Sequence, residues 1–364
     1  MGIPSLCRGS RTNFLLIVSA IGMLISLSFS RVAAFRGRAF KGRTYSKSSL
    51  QMMPEGPEVR SLVDYLDHSF CTTDRHHLMN ASIISGRYTV KKPTGWETLN
   101  VKIKDKKNQP LLTAVKSKGK FLYFDFGDFY LWSTLGMTGG WTTSPHRRHI
   151  RFALNFRPVS APHSAVTLFY YDQRNFGTLK VSESREELDR KLASLGANWL
   201  DNDAPTVEKW IELAEKAGKR KRPLCVFLMD QSKTSGIGNY VLSECLYRAR
   251  IHPFACTSVI DEQGWTDLHT AISAVLEESY AAQRPVIDET SNTMSKNRRK
   301  RYNNSVFTFR IYSRSVTPDG NPVTKTLGTH KRSIFFDPLT QTLYKPPNFE
   351  LESKESRSAG RKEE

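Results

Sequence analysis

Acidic residues are absent from the first 53 positions of this chain, which carry eight Lys and Arg and no Asp or Glu. That composition fits a targeting leader rather than a folded element. Cysteine is scarce. Cys7, Cys71, Cys225, Cys245 and Cys256 form an odd set, one of them lies in the acid-free stretch, and none shows CxxC spacing. This excludes a disulfide framework and a thiolate zinc site, and the body reads as a protein of a reducing compartment. Long hydrophobic runs are lacking too. The apolar stretch Phe14 to Phe29 is shorter than the about 20 residues a membrane-spanning helix needs. No internal repeat is present.

Between Arg11 and Arg31, a basic start, an apolar middle and small residues near Ala33 and Ala34 match a secretory signal. The following FRGRAFKGRTYSKSS is rich in Arg, Lys and Ser, as organelle transit peptides are. The two in series, joined at Ala34-Phe35, resemble the bipartite plastid leaders of algae with secondary plastids. A plastid location is therefore expected. The alternatives are a mitochondrial or plain secretory signal, a membrane anchor, or a nuclear form initiated internally at Met52 or Met53. Formal net charge is +19. With the leader's eight set aside, 46 basic residues face 35 acidic ones, an excess of 11 that argues for a polyanionic partner or an anionic surface.

Behind the PEGPE turn, Val59, Leu62, Val63, Leu66 and Phe70 fall at helical intervals and predict an amphipathic helix. From about Ser82 to Val181 the pattern changes to short β-rich runs, FLYFDF, FYLW, RFALNF and VTLFYY, which predict a β-sandwich or barrel. After Ser182 the chain turns helical, ending in a long helix from about Gly264 to Gln283. Residues 285–304 read as a polar linker, 307–344 as a second β-like unit beginning FTFRIYSR, and the charged tail as disordered. The basic runs at 219–222 and 296–301 fit, in descending order, a solvated linker, a DNA-backbone contact or a nuclear import signal.

MPEGPEVR (53–60), SKGK (117–120), LGMTGG (135–140), DQRNFG (172–177) and FLMDQSKTSGIGNY (227–240) occur in this order. Together they resemble the Fpg/Nei family of DNA glycosylases, the formamidopyrimidine and endonuclease VIII enzymes, over roughly residues 53–344. The residues agree with that chemistry. If Met53 is removed, Pro54 carries a free secondary amine. An α-amine has a pKa of about 7.7–8.0 against about 10.4 for lysine, so a useful fraction is neutral and nucleophilic. Glu55 suits general acid/base work beside it, and Glu58 is a second carboxylate one turn on. A Pro-Glu helix start is the ordinary alternative for this trio.

The resemblance implies that Lys120 holds the phosphate beside the lesion and aids elimination. It implies that Met137, Arg174 and Phe176 fill the void left by an everted base, an eversion that costs a few kcal/mol. Gly236 and Gly238 are expected to let backbone N–H groups converge on a DNA phosphate, with Asn239 opening the next helix and binding the same anion. At the places of the family's zinc cysteines stand Val323, Thr326, Asp337 and Thr340, so no Cys₄ site forms and no cofactor is expected. Arg332 persists before the last aromatic strand, which resembles a zincless finger, and would reach phosphates. DQRNFG departs from the common DPRRFG; Gln173 and Asn175 drop one charge.

The expected fold is α+β and multidomain. A leader (1–53) precedes a catalytic β-sandwich with its N-terminal helix (54–185) and a helix–two-turns–helix domain with basic linker (186–304). A zincless β finger (305–345) and a tail (346–364) follow. The implied protein is a monomeric bifunctional glycosylase and AP lyase acting on double-stranded DNA with oxidised bases or abasic sites, its mature form not stably membrane-associated. The competing readings are a non-catalytic damaged-DNA-binding protein with a blocked N-terminus and a membrane-tethered protein.

Overall fold

In the computed structural model, residues 54–201, 204–219, 221–283, 307–328 and 332–342 are described. The leader, the whole of the 285–304 linker with its run at 296–301, and the tail lie outside the described residues. The described residues belong to one compact unit.

Helix α1 (Gly56–Asp67) starts where the sequence signals a start. Pro57 occupies its first turn, and the Glu58 side chain accepts the Glu55 N–H at 2.9 Å, satisfying a donor the helix cannot. Its buried stripe is Val59, Val63 and Leu66. A short π-turn (His68–Thr72) leads into β1 (His76–Ile83), which begins earlier than the predicted β region. Then come α2 (Trp96–Lys104), β2 (Leu111–Leu112), β3 (Ala114–Lys118), β4 (Phe121–Asp125) and β5 (Tyr130–Thr134). β6 (Gly140–Thr142), β7 (Ile150–Pro158), β8 (Val166–Tyr171) and β9 (Thr178–Ser182) complete this part.

The strands form two antiparallel sheets, ordered β2-β1-β7-β8-β6 and β3-β4-β5-β9. One core lies between them, joining Leu78, Phe152, Phe156 and Leu168 of the first sheet to Leu122, Phe124, Leu131 and Val181 of the second, with α1 packed on it. Alternation along β4 sends Phe121 and Tyr123 to the opposite face, where Leu188 of α3 (Arg185–Ala193) covers them. By its contacts α3 therefore joins the sandwich.

β10 (Ala197–Asn198) pairs in parallel with β11 (Thr234–Ser235), tying the connection to the loop before the second-domain helix. Around a second core stand α4 (Val207–Gly218), α5 (Leu224–Met229), α6 (Asn239–Arg248) and α7 (Glu262–Gln283). Nearly every residue of α6 is buried, which makes it the central helix of this part. β12 (Thr324–Leu327) and β13 (Ser333–Phe336) form an antiparallel hairpin, and Ile334 reaches the helical core.

The FTFRIYSR segment is not a strand, contrary to its β-like composition. The buried carboxylate of Glu244 in α6 accepts the N–H groups of Arg310 (3.0 and 3.1 Å), Ile311 (3.0 Å) and Tyr312 (2.9 Å). Donors that a strand would give to a ladder are thus taken by one side chain. Among the described residues no helix is long and apolar enough to cross a membrane.

Candidate active site

Three backbones meet where side chains would not fit. Gly56 donates its N–H to the Gly236 carbonyl at 2.9 Å. A Cβ on Gly119 (φ +58°) would stand 2.5 Å from the Gly236 nitrogen, and Gly236 itself has φ +94°. Left-handed backbone and near-contact both demand glycine here. The junction brings the 54–58 segment, the β3–β4 turn with Lys120 and the loop before α6 together.

Glu55 is 1% exposed. Its carboxylate accepts the N–H groups of Tyr240 (3.0 Å) and Val241 (3.2 Å), which are orphan donors of the first turn of α6. Burial pushes its pKa up to about 7; Lys120 opposes the rise and Glu58 adds to it. Burial likewise draws Lys120 below the usual lysine range, against the pull of Glu55 and with help from Arg332. Glu58 accepts from Tyr240 Oη (3.1 and 3.2 Å) and Gln283 Nε2 (2.5 Å) as well as from Glu55 N–H. Its pKa is raised by burial, and these hydrogen bonds work against the rise. Pro54 stands partly exposed next to them. The group is a buried carboxyl whose proton affinity is raised to near neutrality and a buried amine whose proton affinity is lowered, each acting on the other's charge, with the carboxyl on the residue that follows Pro54.

The carboxyl at the α6 N-terminus is therefore supplied from within the chain. The Gly236 N–H donates to Gln231 Oε1 at 3.1 Å, and the space over Gly238 is filled by the Glu55 carboxyl. Both glycines thus face groups of the chain itself. Asn239 is buried and donates Nδ2 to the Ser333 carbonyl of β13 at 2.6 Å, so it joins α6 to the hairpin. Arg332 is exposed at the turn end of that hairpin, and its carbonyl accepts the Gly328 N–H at 2.8 Å. Asp337 accepts from Asn321 Nδ2 (2.9 Å), Leu339 N–H (2.9 Å) and Thr340 Oγ1 (2.8 Å). These bonds cross-link the hairpin base, and with no thiolate at 323, 326, 337 or 340 the residues there do not fit a zinc ion.

Met137, Arg174 and Phe176 come together on two adjoining loops. Arg174 Nη1 lies 3.4 Å from Met137 Sδ, and Phe176 is 59% exposed. Beneath them the buried carboxylate of Asp172 accepts Thr138 Oγ1 (2.8 Å), Arg174 N–H (3.1 Å) and Gly177 N–H (2.8 Å), pinning both loops.

Sequence reasoning missed Asp172, Tyr240, Glu244 and Gln283. The first two sit inside quoted motifs, DQRNFG and GIGNY, and position within a motif was the available signal. Glu244 and Gln283 carried none, since an acid or amide on a helix is ordinarily solvated.

Among known proteins, the model of the formamidopyrimidine-DNA glycosylase N-terminal domain matches residues 53–179. The model of the formamidopyrimidine-DNA glycosylase H2TH domain matches residues 200–291. The formamidopyrimidine-DNA glycosylase of Roseiflexus sp. is 35% identical over 161 residues, 41% of this chain and 56% of that protein. That of Cytobacillus firmus is 31% identical, over 46% of this chain and 60% of its own length. The chain thus spans less than two thirds of these two relatives; it covers 97% of the Solibacter usitatus protein at 28% identity, over 78% of its own length. Solved structures share the fold. The Lactococcus lactis formamidopyrimidine-DNA glycosylase bound to AP-site DNA has a TM-score of 0.61 at 22% identity, covering 79% of this chain and 99% of that one. MutM with carbocyclic 8-oxo-G DNA gives 0.61 at 21% identity, covering 79% and 100%.

Proposed function

Because the chain belongs to the Fpg/Nei family, we propose that it is a base-excision-repair DNA glycosylase and AP lyase that removes oxidised bases from double-stranded DNA. The observation that carries this reading is the convergence of Glu55, Glu58 and Lys120 on the Pro54 segment, with proton affinities of Glu55 and Lys120 drawn toward neutrality.

In this reading Pro54 is the first residue of the mature enzyme. Its amine lone pair forms a bond to C1′ of the damaged nucleotide as the C1′–N glycosidic bond breaks; the base leaves with the glycosidic bonding pair and takes up the proton that the Pro54 nitrogen gives up. Glu55 protonates the ring oxygen, so the sugar opens to an iminium on Pro54. The iminium acidifies C2′–H; loss of that proton expels the 3′-phosphate, and a second elimination expels the 5′-phosphate. Lys120, Asn239 and Arg332 hold phosphates, and Met137, Arg174 and Phe176 fill the vacated stack. The hairpin at 324–336 acts as a zincless finger, and the enzyme needs no cofactor and works as a monomer. The DNA in the solved relatives, an AP site and an 8-oxo-G analogue, motivates the substrate class. Both formamidopyrimidines and oxidised pyrimidines fit it. The leader directs the protein to the plastid and must be removed completely, because an amide nitrogen at Pro54 is not a nucleophile.

Borohydride trapping tests the reading. A chain made from Met53, which methionine removal leaves starting at Pro54, should give a covalent complex with oxidised duplex DNA. A chain starting at Phe35 should give none. Absence of any trapped species from the Pro54 form sinks the enzyme.

A further inference from the structure

Four side chains from three helices close a hydrogen-bonded ring beside the Pro54 segment. Gln283 Nε2 on α7 reaches Glu58 Oε1 at 2.5 Å and Ser279 Oγ at 3.0 Å. Ser279 Oγ lies 3.0 Å from Tyr240 Oη, which in turn lies 3.1 and 3.2 Å from the Glu58 oxygens. Tyr240 is buried and Ser279 fully so.

Counting protons gives the ring a direction. Gln283 is a pure donor at Nε2, with one hydrogen for Glu58 and one for Ser279. The Ser279 hydroxyl then gives its hydrogen to Tyr240, and Tyr240 gives its own to Glu58. Both arms end on Glu58, and the Glu55 N–H arrives as a third donor at 2.9 Å. A protonated Glu58 would give its hydrogen to Tyr240 Oη and reverse that arm, while the Ser279 oxygen, with two lone pairs, still accepts from both Tyr240 and Gln283. An ionised Glu58 is the state that accepts from Gln283, Tyr240 and the Glu55 N–H at once. Tyr240 also touches the other carboxylate, since its backbone N–H is one of the two that Glu55 accepts.

We propose that Tyr240 and Gln283 are positioning residues for the reaction: they hold Glu58 as a fixed acceptor that grips the Glu55 N–H and so sets the Pro54–Glu55 peptide. This rests on the glycosylase reading above. It divides the two carboxylates by role. Glu55 carries the proton, and Glu58 stays charged and does not exchange one. The titratable groups facing Glu58 are Glu55, Tyr240 and Lys120. Burial raises the proton affinity of Glu58 on balance, and the hydrogen bonds from Gln283, Glu55 N–H and Tyr240 hold that rise back.

The test uses the chain starting at Pro54. Tyr240→Phe removes the hydroxyl and keeps the N–H to Glu55, while Gln283→Leu removes both amide donations. Each should slow single-turnover base release about 10- to 100-fold, as expected for losing one hydrogen bond to a charged group. Each should also move the acid limb of the pH–rate profile to higher pH and leave substrate affinity in place. The double variant should fall by less than the product of the two, because both act through one carboxylate. Wild-type rates and an unmoved acid limb, with or without a lower melting temperature, make the two residues packing alone and overturn the proposal. Gln283 is half-exposed at the end of α7, so Gln283→Leu decides the matter if Tyr240→Phe fails to fold. If the wild-type chain shows no trap, the glycosylase reading falls by itself. A ¹³C titration of Glu58 then judges the ring: protonation at higher pH in the variants upholds it, and identical curves overturn it.

Discussion

Glu55 and Phe176 stand at opposite ends of exposure, 1% and 59%, in two regions assigned to one reaction. Around Glu55 every carboxylate oxygen is met by a donor from another element, and glycine backbones close the space. Around Phe176 the working side chains stand in solvent, and the order lies underneath, in Asp172. Proton transfer gains from desolvation and fixed dipoles, whereas filling a vacated base stack requires an apolar group free to enter it. Yet both regions are set by the same device, a buried carboxylate that accepts backbone N–H groups. Glu244 uses it a third time, on residues 310–312.

The comparison breaks most severely at Glu55. Glu55→Gln should lower base release about 100- to 10,000-fold, measured in single turnover. The same variant has a stability signature. The folded chain holds the Glu55 proton up to about 7 against an ordinary 4.5, so it binds that proton more tightly than the unfolded chain does. The resulting stabilisation is present below pH 4.5 and is lost as pH rises through about 7. Melting curves of Glu55→Gln should lack that decline between the two values.

Next in size is the glycine junction. Gly119→Ala puts a Cβ 2.5 Å from the Gly236 nitrogen on a residue with φ +58°, and should cost about 3 kcal/mol or more in urea unfolding, with trapping lost alongside. Smallest is the exposed side. Phe176→Ala should leave stability within about 0.5 kcal/mol while selectively slowing release from duplex relative to single-stranded DNA. An equal effect on both substrates would remove Phe176 from the void-filling role.

Much of this was legible before the fold was known. The α1 start is written in Pro57 and Glu58, the sandwich in short β-rich runs such as FLYFDF and RFALNF, and the long helix near 264–283 in its apolar stripe. The motifs named Glu55, Lys120, Arg174 and Asn239 without saying what each touches. The N–H groups near Gly236 and Gly238 pointed to an acceptor at the start of α6, and the Glu55 carboxyl is one, taking the N–H groups of Tyr240 and Val241. FTFRIYSR looked like a strand because its aromatic and β-branched residues favour one; capture by Glu244 overrode that preference.

Patterns confined to a few neighbouring residues were the sequence's own to decide: the acid-free leader, the capped helix, the loss of thiolates at 323, 326, 337 and 340. Local sterics and hydrogen bonds act over a turn or a strand, so they can be read from spacing. The ring around Glu58 could not. It joins Glu58 to Tyr240 across 182 positions and to Gln283 across 225. Such partners meet only when two hydrophobic cores have formed and the glycine junction has brought them together, so the tertiary structure alone decided which donors each carboxylate receives.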